Sequence, residues 1–205
     1  MQNDFYSHEF KYWNGGRLMA GADEAGRGPL AGPVVAAAVI FEKKIIIEGI
    51  NDSKKLAEKK REALYEEIIK NSLYGVGIVG PEEIDKTNIL VAARKAFLKA
   101  AEALPVTPDF FYTDYITGLV LPAPFESVVK GDSLIYSVAA ASIVAKVTRD
   151  RIMYKYAEKY PGYGFEKHKG YGTKAHYEAI ERLGICPIHR KTFLKKILKN
   201  ENDQS

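Results

Sequence analysis

The chain has 205 residues, 46% of them hydrophobic, and its 30 Lys/Arg against 26 Asp/Glu leave a net charge of +4. That is enough apolar material for one domain with a proper core, and no apolar run reaches the ~18 residues that span a bilayer. One cysteine, Cys186, excludes an intramolecular disulfide and a cysteine-rich zinc cluster, while Met1 to Phe10 carries Asp4 and Glu9 instead of a signal-peptide core, so a cytoplasmic location is expected.

Met19 to Asp23 and Val34 to Ile40 read as buried strands joined by a Gly/Pro-rich turn. Ile45 to Ile47 reads as a third. Asn51-Asp52-Ser53 opens a helix whose apolar stripe holds Leu64 and Ile68 and which runs to about Lys70. Tyr74 to Val79 reads as a short strand. Pro81, followed by Glu82 and Glu83, starts a short helix. Ile89, Ala93, Ala96, Phe97 and Ala100 keep helical spacing. Asp109 to Asp114 and Phe125 to Val129 read as two more strands. Asp132 opens a long alanine-rich helix through Asp150, and Pro161 to Gly172 reads as a Gly/Tyr/His-rich loop. Lys174 to Leu183 and the basic Thr192 to Lys199 complete the helices. Strand–helix alternation after an early hairpin argues for a mixed-sheet α/β fold.

The chemistry concentrates at Asp23-Glu24-Ala25-Gly26-Arg27-Gly28. A buried strand that ends in carboxylates needs a partner for them, and a divalent metal is the usual one. Four acids sit at element ends: Asp23, Glu24, Asp114 and Asp132. On spacing alone Asp132 reads equally as a helix N-cap and Asp114 as a strand end. Asp23 and Glu24 resist the bland reading, because an apolar segment leads straight into them. Strand alternation puts them on opposite faces unless the pleat breaks at Ala25-Gly26. Oxygen ligands without His or Cys suit Mg²⁺ or Mn²⁺. Charge is uneven: residues 131–200 hold 14 Lys/Arg against 6 Asp/Glu, a net +8, which fits a polyanionic partner or a solvated helical face.

The run Asp-Glu-Ala-Gly-Arg-Gly-Pro-Leu-Ala-Gly-Pro closely resembles the signature of type 2 ribonuclease H, ribonuclease HII. Asn51 to Leu56, Gly75 to Asp85, Lys130 to Ser133, Ala139 to Asp150, Tyr160 to Phe165, His168 to Thr173 and Pro187 to Arg190 match in order. The resemblance spans about residues 18–194. It implies a ribonuclease H-like fold: a five-stranded mixed sheet flanked by helices, with a small helical C-terminal region. The organisation implied is an N-terminal extension (1–17), a catalytic domain (18–185) and a basic helical C-terminal extension (186–205). The activity implied is cleavage of the RNA strand of RNA–DNA hybrids and nicking 5′ of ribonucleotides embedded in duplex DNA, leaving 3′-hydroxyl and 5′-phosphate ends. Asp23, Glu24, Asp114 and Asp132 match the family's metal-binding carboxylates. Gly26, Arg27 and Gly28 match its 2′-hydroxyl-sensing turn, and Tyr171 the tyrosine that helps sense the 2′-hydroxyl and stacks on the next sugar; Tyr163 is the competing candidate. Lys146, Arg149 and Lys169 are expected on the nucleic-acid backbone, and His168 and His189 are minor candidates for proton transfer. A monomer is expected, with docking on a sliding clamp left open.

Two departures stand out. Tyr115 follows Asp114 where the family usually has a glycine, and Leu134 stands where it usually has a lysine. They keep a rival reading open: a catalytically impaired homologue that binds hybrids without cutting them. Another two-metal nuclease, such as a junction resolvase, fits the Gly-Arg-Gly turn and Tyr171 less well.

Overall fold

The computed structural model describes residues 5–42 and 45–195. Five strands form one mixed sheet: β1 (Met19–Ala25), β2 (Val34–Ile40), β3 (Leu73–Val79), β4 (Phe110–Asp114) and β5 (Phe125–Val128), in the order β3-β2-β1-β4-β5. β1, β2 and β3 are antiparallel; β4 joins β1 and β5 joins β4 in parallel. β2, Val-Val-Ala-Ala-Ala-Val-Ile, is buried along its whole length, because helices cover both faces of the sheet.

On one face lies α4 (Ile89–Glu102), whose first turn is capped by the Asn88 side chain accepting from the Leu90 and Val91 N–H groups. Its Ala93, Ala96, Phe97 and Ala100 pack on Ala20, Ala22, Ala36 and Ala38. On the other face lies α6 (Tyr136–Lys159), with α2 (Glu58–Asn71) behind it through Leu64 and Ile68. The start of α6 lies so close to β1 that a Cβ on Gly21 would stand 2.2 Å from the Ser137 carbonyl carbon; only glycine fits there. The remaining helices are α1 (Ser7–Asn14), α3 (Pro81–Lys86), α5 (Gly131–Leu134), α7 (Phe165–His168) and α8 (Lys174–Leu183). None of the helices among the described residues is long and apolar enough to cross a membrane.

The mixed sheet with flanking helices is the expected fold, and several local expectations need correcting. Ile45 to Ile47 is not a strand; the Ile47 N–H instead donates to the Tyr136 hydroxyl at 2.7 Å, so a side chain takes the place of a neighbouring strand. The helix expected from Asn51 is a single 3₁₀ turn, Ser53–Lys55, capped by Asp52, and α2 begins afresh at Glu58. Asp132 does not open the long helix. It sits in the one-turn α5, and extended Ile135 (φ −129°, ψ 123°) separates it from α6. The 161–172 loop contains α7. The N-terminal segment packs as part of the fold: Phe5, Tyr6 and Trp13 lie against the α6 core, and buried Glu9 accepts from the Ser137 N–H at 2.8 Å. Of the expected Thr192–Lys199 helix, Lys191–Phe193 form a 3₁₀ turn, and the part from 196 lies outside the described residues.

Candidate active site

The sheet places its acids at one end. Pairing of β1 with β4 stops at Ala22, whereas pairing with β2 continues to Ala25. β1 ends at Ala25 and the chain leaves it through Gly26 (φ 99°), so the strand stops at Ala25-Gly26, and Asp23 and Glu24 both line a single cleft. That cleft is lined by Asp23, Glu24, Gly26, Arg27, Gly28, Ser53, Lys54, Asp114, Lys146 and Tyr171. It adjoins a second hollow, lined by Asp114 and Asp132 and shared through Lys54 and Asp114.

Each carboxylate is oriented by its neighbours. Asp23 Oδ1 accepts from the Glu24 N–H at 2.7 Å. Glu24 Oε1 pairs with Arg27 at 3.3 Å. Asp114, at the end of β4, accepts from the Gly131 N–H at 2.9 Å. That bond ties β4 to the turn carrying Asp132, which is entered through Lys130 in the left-handed region (φ 59°). Asp132 Oδ2 pairs with Lys54 Nζ at 3.1 Å.

The acids crowd one another. Burial first, then the charges of Glu24 and Asp114, hold the Asp23 carboxyl well above the usual carboxylate range. Burial raises Glu24 against the opposing pull of Arg27, and burial together with Asp132 raises Asp114. Burial works against the charge on Lys54, yet Asp132 and Asp23 outweigh it and raise its pKa. Among the described residues no three His, Cys, Asp or Glu side chains already stand around one ion; Lys54 on Asp132 and Arg27 on Glu24 neutralise the acids in pairs instead. The donor set nevertheless fits a hard cation. Glu24 Oε2 is buried with no hydrogen-bond partner, an unmet acceptor, and burial, joined by neighbouring acids, already drives three of the acids toward protonation.

The Gly-Arg-Gly turn is clamped from behind. Arg190, fully buried, donates to the carbonyls of Gly26 (2.6 Å), Arg27 (3.0 Å) and Gly32 (3.0 Å). Arg149, equally buried, donates to Pro33 (3.0 Å) and Ala31 (3.1 Å). The expectation that Arg149 contacts nucleic acid is therefore corrected: its guanidinium lies below the surface, with Nε and Nη2 on main-chain carbonyls. Lys169 is corrected likewise, being buried with its ammonium on Tyr154 Oη at 3.0 Å and on the Glu166 carbonyl. Lys146 does reach the cleft, paired with Asp150 at 2.7 Å.

Tyr171 stands exposed on the cleft rim, and a Cβ added to Gly28 would lie 3.8 Å from its ring. Tyr163, the competing candidate, is buried and stacked on Phe165, with its hydroxyl on the Gly184 carbonyl. His168 and His189 lie away from the cleft lining, each ring bonded within the C-terminal region. Tyr115 is exposed at the second hollow, and Leu134 packs toward Tyr112 and Val138. Sequence reasoning gave no role to Lys54 and counted Arg190 in a basic tail, Arg190 to Lys199, that adds sequence-independent affinity; for Arg190 that is corrected, because its side chain is fully buried on main-chain carbonyls. Both lie inside matching motifs, Asn51 to Leu56 and Pro187 to Arg190, so the signal was present without these contacts.

The family model described as Ribonuclease HII matches residues 20–196. The ribonuclease HII of Clostridioides difficile is 57% identical over 198 residues, 96% of this chain and 75% of that relative. The ribonuclease H2 of Pyrococcus horikoshii superposes with a TM-score of 0.72 at 32% identity, over 85% of this chain and 93% of that one. The RNase HII solved in a complex with PCNA from Archaeoglobus fulgidus gives a TM-score of 0.73 at 29% identity, over 84% and 93%. The chain belongs to the ribonuclease HII family and is a nuclease that hydrolyses phosphodiester bonds.

Proposed function

We propose that the chain cuts the RNA strand of RNA–DNA hybrids and nicks duplex DNA 5′ of an embedded ribonucleotide, leaving 3′-hydroxyl and 5′-phosphate ends. The observation that carries this reading is the joining of Asp23, Glu24 and Asp114 with Gly26–Gly28 and Tyr171 around one cleft. Asp23, Glu24, Asp114 and Asp132 would hold two Mg²⁺ or Mn²⁺ ions, which when bound activate water and stabilise the departing 3′-oxygen. No protein nucleophile is required. Lys54 and Lys146 supply positive charge beside the scissile phosphate, and Lys54 exchanges Asp132 for that phosphate as substrate enters. The exposed Arg27-Gly28 backbone and the Tyr171 ring read the ribose, whose 2′-hydroxyl distinguishes RNA from DNA.

The test is incubation with a duplex containing one ribonucleotide, in Mg²⁺ or Mn²⁺, beside Asp23→Asn. Nicking 5′ of the ribonucleotide that vanishes in the variant is expected. Tight binding without nicking in either metal would transfer the reading to the binding-only homologue. The Archaeoglobus relative's complex with PCNA makes a sliding clamp the protein partner to try, and retention of this chain on an immobilised clamp is the measurement.

A further inference from the structure

Three of the four histidines, His168, His176 and His189, gather beneath the loop that carries Tyr171. The His168 and His176 rings stack at 4.4 Å and the His176 and His189 centroids lie 5.2 Å apart. Every ring nitrogen is engaged, so the cluster has no lone pair free for a metal. Its bonds instead dictate its protons.

The Cys186 N–H, a fixed donor, points at His189 Nδ1 at 2.9 Å, closer than the Cys186 thiol (3.2 Å) and carbonyl (3.3 Å) that also face that nitrogen. With the N–H as the shortest contact, that nitrogen accepts, and a neutral His189 carries its proton on Nε2. His189 Nε2 lies 3.1 Å from His176 Nε2, and one of the two must donate. At the far end, His176 Nδ1 lies 2.9 Å from the Tyr171 carbonyl, which can only accept. His176 therefore carries its proton on Nδ1 and leaves Nε2 to accept. The Tyr171 end fixes the direction and the shortest contact at Cys186 agrees with it: one directed chain runs from Cys186 N–H through His189 and His176 to the Tyr171 carbonyl. Burial lowers both histidines, His176 to about 4, so the chain is neutral at working pH.

The loop needs such an anchor. Lys169 (φ 51°) and Gly170 (φ 83°) are two successive left-handed residues immediately before Tyr171, a conformation that persists only when its surroundings hold it. His168 Nδ1 accepts from the Gly170 N–H at 3.2 Å, and the Gly170 carbonyl accepts from Leu30 N–H at 2.8 Å. At Tyr171 itself the carbonyl accepts from Thr173 N–H at 2.8 Å inside the same turn; His176 adds a side-chain tie to it from α8.

We propose that His176 is a positioning residue for ribose recognition: its Nδ1–H, held in that tautomer by His189, fixes the Tyr171 backbone and so the ring at the cleft rim. This rests on Tyr171 reading the ribose.

Long-range ¹H–¹⁵N correlation of the imidazoles in the full-length protein tests the geometry without any variant. His176 is expected as the Nδ1–H tautomer and His189 as Nε2–H; an Nε2–H tautomer at His176 would overturn the proposal. Nicking of a single-ribonucleotide duplex tests the role. His176→Asn, whose amide reaches the Nδ1 position, is expected to hold its rate within about threefold, and His176→Gln, whose amide extends toward His189, to lose about tenfold. Tyr171→Ala separates the two readings. If His176→Gln costs as much again in the Tyr171→Ala background, His176 serves the fold alone and the proposal fails. If Tyr171→Ala leaves the rate and the ribose preference unchanged, the reading of Tyr171 falls first, whatever the tautomers show.

Discussion

Asp23 is a carboxyl held where it is least comfortable. Its folded pKa lies well above the usual value because of burial first and neighbouring acids second, and the sign of the consequence follows. A carboxyl that is harder to ionise folded than unfolded costs nothing at low pH. It costs stability as pH rises from the ordinary carboxyl range, about 4, toward the folded pKa. In a metal chelator the protein is therefore expected to melt at lower temperature as pH rises through that window. Mn²⁺ is expected to reverse the loss by binding the folded state. Asp23→Asn removes a charge from the cluster, so the variant is expected to melt higher than the parent in chelator, to gain less from Mn²⁺, and to show no nicking. Calorimetry with and without the metal checks all but the last. A lower melting temperature for the variant in chelator would mean that the acids do not repel one another as described.

At the scale of the element, the Gly-Arg-Gly turn depends on two buried arginines rather than on its own sequence. Arg190 holds two of its carbonyls, Gly26 and Arg27, and that of Gly32, while Arg149 holds Ala31 and Pro33 of the segment that follows. Arg149 also lies 5.8 Å from the Tyr171 ring centroid. Arg190→Met leaves three buried or half-buried acceptors unmet and is expected to cost about 3 kcal/mol of stability, with loss of nicking in the fraction that still folds; urea unfolding measures the first. Lysine cannot replace the planar fork, so Arg190→Lys is expected to rescue less than half of the loss. The contact of α6 with β1 is as exacting. Gly21→Ala drives a methyl into the Ser137 backbone and is expected to lower stability by about 3 kcal/mol, read as a fall in melting temperature and soluble yield.

Over the whole molecule, segments distant in sequence complete one another. α6 has no capping side chain of its own at Ile135, and Glu9 reaches its second residue, Ser137, from a separate helix. Glu9→Ala is expected to cost ~1 kcal/mol, the usual worth of a cap, and removal of residues 1–17 considerably more, with activity falling in parallel. The basic C-terminus is expected to add affinity that ignores sequence. Truncation after Lys195 removes Lys196 and Lys199, and the slope of log affinity against log salt is expected to flatten by about 2 for duplex DNA. An unchanged slope would exclude those lysines from the interface.

The alternation of apolar runs with helical stripes, the Gly/Pro turns and the capping residues made the sheet strands and the long helices legible from Met19 to Leu183, because those signals are local in the chain. The acids were legible for the same reason: each stands within two residues of the end of an element. What the sequence left undecided was which cations stand free. Lys146, Arg149 and Lys169 read alike as basic residues in a matching stretch, yet Lys146 enters the cleft while Arg149 and Lys169 turn inward to carbonyl oxygens and a tyrosine. Burial depends on what the fold brings against a side chain, and those partners lie as much as 118 residues away for Arg149. The chain alone thus determined the family and the fold, and singled out four carboxylates that the sheet gathers at one end. Only the tertiary structure decided that Lys54 faces Asp132, that Arg190 grips the Gly-Arg-Gly turn, and that two histidines end their hydrogen-bond chain on Tyr171, since each is a contact between segments that sequence spacing does not relate.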